Sequence, residues 1–305
     1  MPGARVALIG APTDVGAGLR GACMGPQALR VAGLVQALQS LGVPVIDTGD
    51  LVGPPRPTSP QDARGPHHLD EVIAWNRTVF DAVDRCLSGG DLPVLLGGDH
   101  SLAVGSISAI ARHCDRQGRR LRVLWLDAHA DVNDAITSPS GNLHGMPVAC
   151  LLGRGPASLV GWSGQPQALH AADIAFIGIR SVDAEERSAI ARLGLRVWDM
   201  RAIDEHGMRH ALNEALQGID ADTHLHVSFD LDALDPVYAP GVSTGVPGGL
   251  TYRETQLCME MLADTGCLRS LDVMEINPAQ DVRNRTAELA VQAICSLLGA
   301  ATLAR

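Results

Sequence analysis

The sequence contains no lysine, so all 24 residues counted as Lys plus Arg are arginines. This absence excludes enzymes that use a lysine Schiff base or lysine general base, and it excludes NTPases that need the P-loop lysine. Aromatic residues are also scarce, at 3%, and the formal net charge is −10. Because an acidic surface repels polyanions and few rings are present for base stacking, we expect no nucleic-acid partner.

Long apolar runs and paired cysteine motifs are missing too. No apolar run reaches the ~18 residues that a membrane span requires. The short N-terminal apolar run is interrupted by Gly10 and Pro12, and no A-x-A-like cleavage site follows it. We therefore expect a cytoplasmic protein without a membrane partner. The seven cysteines form no C-x-x-C pair, so neither a disulfide framework nor a zinc knuckle is indicated.

Short β-branched or Leu-rich runs alternate with longer amphipathic runs along the chain. This alternation predicts parallel strands joined by crossover helices, which makes a three-layer α/β fold with helices on both faces of one sheet. At a typical ~150 residues per domain, a chain of 305 residues would have two domains. However, the best linker candidate, residues 53–66, lies within the alternation and no composition shift follows it. We therefore expect a surface loop there and a single domain over residues 1–305.

Ionisable residues follow three of the predicted buried strands. The segments are GGDH at residues 97–100, DAHAD at 127–131 and DLDALDP at 230–236. In extended backbone alternate side chains share a face, so the Asp and His side chains of DAHAD are predicted to point one way, as are the two Asp side chains of DLD. Each motif alone is equally typical of a helix N-cap or a turn. Their occurrence together needs another explanation.

Four carboxylates and two imidazoles at one sheet edge would be very unfavourable unless cations compensate their charge. Six side chains suit two divalent ions if Asp127 and Asp230 bridge them, with the ions ~3.5–4 Å apart. The first ion would take His100, Asp127, Asp131 and Asp230, and the second would take His129, Asp127, Asp230 and Asp232. This oxygen-rich, cysteine-free set favours Mn²⁺ over zinc or copper. We therefore predict two Mn²⁺ ions per subunit.

The chain also carries a series of longer motifs: GGDHSLAVGSISA, WLDAHADVN, SGNLHGMP, SFDLDALDP, TGVPGGLTYRE and DVMEINP. In this order they resemble the signatures of the ureohydrolase family, and of its arginase branch in particular. The resemblance runs from Gly25-Pro26 to the last helix. It implies a single three-layer α/β/α domain with an eight-stranded parallel sheet, a dimanganese centre on the six ligands proposed above, and a homotrimer or homohexamer.

The resemblance further implies roles for other polar residues. Glu275 would receive the guanidinium of the substrate, Thr244 would line that end of the site, and His144 would be the acid–base or proton-shuttle histidine. The α-carboxylate would be bound by Asn133, Ser140 and Asn142, and the α-amino side by Asp183 and Glu186. Without the family match, such residues are equally typical of turns, helix N-caps and strand ends.

The implied reaction is the hydrolysis of L-arginine to L-ornithine and urea. Our hypothesis is that two cations lower the pKa of a bridging water toward ~7, and that the resulting hydroxide attacks the guanidinium carbon. Asp131 would carry the proton to the departing amine, and His144 would exchange protons with bulk water. Ser181 departs from the aspartate that arginases often carry there, which leaves the contacts to the amino side of the substrate open.

Three alternatives remain at this point. An agmatinase or guanidino-acid hydrolase would share the metal centre but lack the SGNLHG loop at residues 140–145. A non-catalytic protein could retain the fold, although His144 and Glu275 are both present. Residues 16–21 match G-x-G-x-x-G, which is typical of nicotinamide-dependent oxidoreductases. These glycines do not lie at the strand end, where that fingerprint requires them.

Overall fold

The structure is a computed structural model that describes residues 4–58 and 65–303. Eight parallel strands form one sheet in the order β2-β1-β3-β8-β7-β4-β5-β6. This confirms the predicted α/β fold with an eight-stranded parallel sheet. The strands are β1 (Val6–Gly10), β2 (Val45–Asp50), β3 (Leu92–Leu96), β4 (Arg120–Leu126), β5 (Ile174–Ile179), β6 (Arg196–Asp199), β7 (Thr223–Asp230) and β8 (Leu268–Met274).

Helices cover both faces of the sheet, as a three-layer fold requires. In the described residues they are α1 (Gly25–Val31), α2 (Leu34–Ser40), α3 (Leu69–Ser88), α4 (Ala103–Gln117), α5 (Pro147–Leu151), α6 (Ala184–Leu193), α7 (Met200–His206), α8 (Met208–Ala215), α9 (Tyr252–Asp264) and α10 (Arg285–Leu297). Helices α3 to α6 pack on one face, and α1, α2 and α7 to α10 pack on the other.

Two amphipathic runs that the sequence presents as continuous are each divided into two helices by a glycine. Gly33, with φ 83°, separates α1 from α2, and Gly207, with φ 81°, separates α7 from α8. A positive φ costs glycine little but strains other residues, so a helix ends easily at such a position. Within the predicted surface loop at 53–66, residues 59–64 lie outside the described part of the chain.

The two faces of strand β7 differ in polarity. On β7, Leu225, Val227 and Phe229 pack into the core on the α8–α10 side. The alternate residues of β7 are His224, His226 and Ser228, all of them buried, and they face the other way. A parallel sheet is covered on both faces, so these polar groups need partners inside the protein.

Strands β3, β8, β7 and β4 are neighbours in the middle of the sheet. Because all strands are parallel, their carboxyl ends meet at one edge, where open α/β sheets bind ligands. The three motifs at 97–100, 127–131 and 230–236 follow three of these strands, and Glu275 follows the fourth. The fold therefore brings the predicted site residues to one edge. In the described residues, no helix is both long and apolar enough to cross a membrane.

Candidate metal centre

The turn after β3 is built to hold His100 at the sheet edge. Asp99 caps the turn, since its carboxylate accepts hydrogen bonds from the backbone N–H of Ser101 at 3.0 Å and of Gly16 at 2.9 Å. A Cβ at Gly98 would overlap the carbonyl oxygen of Thr13. Glycine is thus required here because another backbone segment approaches closely. Asp99 was not among the predicted site residues, although it is fully buried.

Local turns bring the remaining ligands together, so the interpretation of DAHAD and DLD as extended backbone was wrong. Strand β4 ends at Leu126, and Asp127 Oδ1 accepts a hydrogen bond from the His129 N–H at 2.6 Å. Asp230 ends β7, and its Oδ1 accepts from the Asp232 N–H at 2.7 Å in a 3₁₀ turn. A carboxylate that bonds to the backbone two residues later forms an Asx-turn, which directs these side chains to one centre.

The first set of side chains converges on His100. Its Nδ1 lies 3.2 Å from Asp127 Oδ2, 3.4 Å from Asp131 Oδ2 and 3.0 Å from Asp230 Oδ2. Asp131 holds a left-handed backbone conformation with φ 52°, which is strained for a non-glycine residue. His100, Asp127 and Asp230 offer ligand atoms within 4.8 Å of one another, a spacing that could hold a metal ion.

A second set surrounds His129. Its Nδ1 lies 3.5 Å from Asp127 Oδ1 and 3.0 Å from Asp232 Oδ2. Asp127, His129 and Asp232 form the second group that could hold an ion, and Asp127 belongs to both groups. The structure therefore places a shared carboxylate between two potential metal sites. Bridging by Asp230 stays a prediction, because Asp230 belongs to the first group alone.

The charges of the cluster fit cations. Burial raises the pKa of Asp131 well above its usual value, and the neighbouring Asp127 carboxylate raises it further. Burial and the carboxylates of Asp232 and Asp127 likewise raise the pKa of Asp230. Burial opposes charge on His100, yet Asp127 outweighs it and raises the pKa of His100 to about 9. These groups therefore hold protons that bound cations would replace, and their N and O donors suit divalent ions.

Two further residues support the ligands, and neither was predicted from the sequence. The ring of His100 stacks on Trp125 with centroids 4.2 Å apart, and its Nε2 lies 2.8 Å from Ser228 Oγ. Trp125 Nε1 donates to Asp127 Oδ2 at 2.9 Å. Partners of this kind fix the orientation of metal-binding side chains. Trp125, on β4, precedes the predicted ligand Asp127 by two residues, and Ser228, on β7, precedes Asp230 by two residues. This spacing is a signal by which both could have been found.

Glu275 follows β8 with φ 64° and lies beside both His100 and His144. Its Oε1 accepts from the His100 N–H at 2.9 Å and lies 3.0 Å from His144 Nδ1. Burial opposes the charged carboxylate, but His144 and His100 outweigh it and lower the pKa of Glu275. The same pairing raises the pKa of His144 against its burial. Oε2 of Glu275 is buried and has no hydrogen-bond partner among the described residues.

A cavity of about 140 Å³ joins these groups. Of the residues predicted to bind substrate, it is lined by Asn133, Ser140, Glu186, Thr244 and Glu275, together with His144. Thr244 also donates to Asp232 Oδ2 at 3.0 Å.

Asn142 and Asp183 are not among the residues that line this cavity. Asn142 Oδ1 lies 3.3 Å from His67 Nδ1. Asp183 caps α6 through the N–H groups of Glu185 and Glu186 and accepts from Asn133 Nδ2 at 2.8 Å. The Asp183 side chain therefore supports the wall of the cavity through Asn133 and Glu186.

The glycine-rich segment at 16–21 has a structural part in the site. Gly16 N–H donates to Asp99, and Gly16 C=O accepts from the His144 N–H at 3.0 Å. These bonds tie the segment to the turn after β3 and to the loop of His144, so its backbone supports the candidate metal centre. The segment does not continue directly from β1 into a helix, as a dinucleotide-binding fingerprint would.

Comparisons with known proteins agree with this geometry. The sequence model of the arginase family matches residues 4–299. The chain belongs to the arginase family. The arginase of Bacillus subtilis strain 168 is 41% identical over 294 residues, which cover 96% of this chain and 97% of that one.

Solved structures of the arginase family show the same architecture. One structure of the B. subtilis arginase has a TM-score of 0.92 at 41% identity, covering 98% of this chain and 100% of that chain. An Entamoeba histolytica arginase solved in complex with L-ornithine has a TM-score of 0.89 at 30% identity, with the same coverage of 98% and 100%. The arginase-family fold therefore extends over nearly the whole chain.

Proposed function

We propose that this protein is an arginase that hydrolyses L-arginine to L-ornithine and urea with two Mn²⁺ ions per subunit. The observation that carries the proposal is the sharing of Asp127 by two potential metal sites, next to a cavity into which Glu275 is placed. The named activity of the relatives and their identity of about 41% support this assignment.

The residues around the cavity define the chemistry. When bound, two divalent cations lower the pKa of a water molecule and so supply a nucleophile near neutral pH. Glu275 Oε2 is buried and has no partner within residues 4–58 and 65–303, so it can accept N–H groups of a guanidinium and hold its carbon toward the metal ligands. The His144 side chain is 17% exposed and lies against Glu275, which suits it to exchange protons with solvent. We keep Asp131 as the candidate that passes a proton to the departing amine.

The other end of the cavity would select the amino-acid part of the substrate. Ser140 and Asn133 line it and can donate hydrogen bonds to an α-carboxylate, while Glu186 can accept from an α-ammonium. Asn142 and Asp183 would act at the same end, directly or through the side chains that they orient. An agmatine hydrolase would have no carboxylate to bind, so the presence of Ser140 favours L-arginine.

The test is urea release by Mn²⁺-loaded protein from L-arginine, agmatine and 4-guanidinobutanoate in parallel. We expect L-arginine to have the highest kcat/KM, and we expect Ser140→Ala to raise KM for L-arginine but not for agmatine, which has no carboxylate. Ser188→Ala, on the exposed side of α6, is the matched control and should leave KM unchanged for all three substrates. A preference for agmatine that Ser140→Ala leaves unchanged would overturn the substrate assignment and retain the metal chemistry.

We also propose that residues 1–305 act as one domain and assemble as a homotrimer or homohexamer. The continuous sheet, whose strands come from residues 6–274, supports the single domain. Light scattering coupled to size-exclusion chromatography would give the number of subunits. A monomer at micromolar concentration would contradict the assembly, and separate unfolding transitions in calorimetry would contradict the single domain.

A further inference from the structure

Arg180 directly follows β5, at the same carboxyl edge of the sheet as the candidate metal centre, although it is not among the residues that line the cavity there. Its guanidinium donates six hydrogen bonds, and every acceptor is a main-chain carbonyl oxygen. The planar guanidinium has five N–H donors in a fixed arrangement, which suits it to such a set of acceptors. A side chain bound in this way fixes the backbone around it.

Three segments of the chain supply these carbonyl oxygens. The first is the end of β5, the second is the turn after β7, and the third is the loop that follows Thr244. Their acceptor residues are Gly178, Asp232, Ala233, Leu234 and Val246. The shortest bonds run from Nη2 to the carbonyls of Asp232 and Val246, both at 2.7 Å. The guanidinium of Arg180 therefore joins three loops at one edge of the sheet.

The turn after β7 carries one of the proposed metal ligands. Asp232 belongs with Asp127 and His129 to the second group that could hold an ion. Its Oδ1 accepts from the Ala128 N–H at 3.0 Å, and its Oδ2 accepts from Thr244 Oγ1 at 3.0 Å. Since the guanidinium bonds to the carbonyl oxygen of the same residue, it holds the backbone from which this carboxylate projects.

The main chain of Arg180 holds the other half of the second group. The N–H groups of Arg180 and Ser181 both donate to the Ala128 carbonyl, at 2.9 and 3.0 Å. Ala128 lies between Asp127 and His129 in the sequence, so these bonds fix the turn that carries both ligands. Through its side chain and its main chain, one residue therefore contacts both turns of the second group.

The ligands of the first group are held in other ways. The ring of His100 follows β3 and stacks on Trp125. Asp230 is the last residue of β7 and pairs with Met274 in the sheet. In the described part of the chain, none of the bonds of Arg180 reaches His100 or Asp230. We therefore expect Arg180 to act on the second group more than on the first.

The charge of Arg180 also suits this position. Burial lowers the pKa of the guanidinium, whereas the nearby carboxylates of Asp232 and Asp127 raise it. Arginine is not deprotonated in proteins, so this charge is permanent. It therefore offsets part of the repulsion among these carboxylates while no cation is bound.

The glycine-rich motif at 245–249 makes room for the guanidinium. A Cβ at Gly249 would lie 2.6 Å from Arg180 Nη2 and 2.6 Å from the Asp235 nitrogen. The Asp235 carboxylate accepts from the N–H groups of Gly248 and Gly249 at 2.6 and 3.2 Å. This segment can therefore close on Arg180 because residue 249 has no side chain.

We propose that Arg180 is a positioning residue for the second group of metal ligands: it fixes the two turns that carry them and so sets the affinity of that group for a divalent cation. The inference rests on the proposed metal centre and deepens it, because Arg180 acts on the ligands and not on the substrate.

Competition between the metal-free protein and a chelator for Mn²⁺ tests this role, because it gives the dissociation constant of each ion without a measurement of activity. Arg180→Met should weaken one ion about 10- to 100-fold, the usual effect of losing a group that orients a metal ligand, and the other less than about threefold. Arg180→Lys keeps the charge but not the planar donors, so its affinity should be intermediate. This variant also keeps the comparison available if Arg180→Met does not fold.

Two backgrounds assign the weakened ion to its site. His100→Ala removes a ligand of the first group alone, and His129→Ala removes a ligand of the second group alone. Adding Arg180→Met to His100→Ala should weaken the remaining ion about 10- to 100-fold, whereas adding it to His129→Ala should change the dissociation constant less than about threefold. Arg196→Met is the matched control, since Arg196 Nη2 donates to the Ala172 carbonyl at 3.3 Å and the residue begins β6 at the opposite edge of the sheet.

Equal weakening of both ions by Arg180→Met would overturn the proposal, because it would indicate a general loosening of the site. Unchanged affinity for both ions, or the same effect in Arg196→Met, would overturn it as well. Near-ultraviolet circular dichroism of the same samples shows whether each variant is folded. If the wild-type protein binds fewer than two ions, the proposed metal centre fails together with this inference. Two ions in the wild-type protein and no selective effect of the Arg180 variants would refute the role of Arg180 alone.

Discussion

Replacing Glu275 with glutamine removes one charge from the centre of the proposed site and changes little in shape. The Glu275 side chain is 2% exposed, and its Oε2 has no partner among the described residues. In the wild-type protein this oxygen would meet the substrate guanidinium in a buried, charged pair. Removing one partner of such a pair costs about 3–5 kcal/mol. Since every 1.4 kcal/mol is a factor of about ten, kcat/KM for L-arginine should fall roughly 10²- to 10⁴-fold.

The assay is initial-rate urea release by metal-loaded Glu275→Gln, with metal content measured on the same sample. Glu275 is not among the proposed ligands, so the variant should keep two ions per chain. The loss of the carboxylate should also lower the pKa of His144, because its charge raises that pKa in the wild-type protein. Glu205→Gln, on an exposed side of α7, is the control. A loss below tenfold with full metal content would refute the assignment of Glu275 to the guanidinium.

The remaining predictions concern the metal ligands and the backbone that positions them. Asp127→Ala should lose both ions, because Asp127 belongs to both potential sites; retention of two ions by elemental analysis would contradict this. Metal affinity, measured by competition titration, should rise with pH through the range near pH 9 in which His100 loses its proton, because a cation must displace that proton at lower pH; a flat profile would contradict it. Gly98→Ala should lower the free energy of unfolding by about 1–3 kcal/mol in denaturant titrations, because its Cβ would overlap Thr13. In the control Gly145→Ala, the new Cβ has no described atom within 4 Å, so the free energy of unfolding should stay the same.

The fold could be predicted from the sequence because the patterns that indicate strands and helices are local. Alternating apolar and amphipathic runs predicted the parallel sheet, and the ligand motifs at three strand ends predicted which edge carries the site. The two helix breaks at Gly33 and Gly207 were missed, since a glycine within an amphipathic run does not by itself show a positive φ.

The detailed geometry of the site did not follow from the sequence. Asp131 and Glu275 adopt positive φ, a conformation that residue type rarely predicts. The contacts of Asp99 with Gly16, and of Ser228 with His100, join residues 83 and 128 positions apart. Such pairs depend on strand order, which a single sequence does not specify. The hydrogen bonds that join Ser270 to His224 and His226 were not predicted for the same reason.

A metal titration of activity shows directly whether hydrolysis needs two bound ions. Metal-free protein would receive increasing Mn²⁺, and bound ions per chain and urea released from L-arginine would be measured in the same samples. We expect urea release to reach its maximum only when two ions are bound per chain. Full activity with one ion per chain, or no urea release with two ions bound, would contradict it.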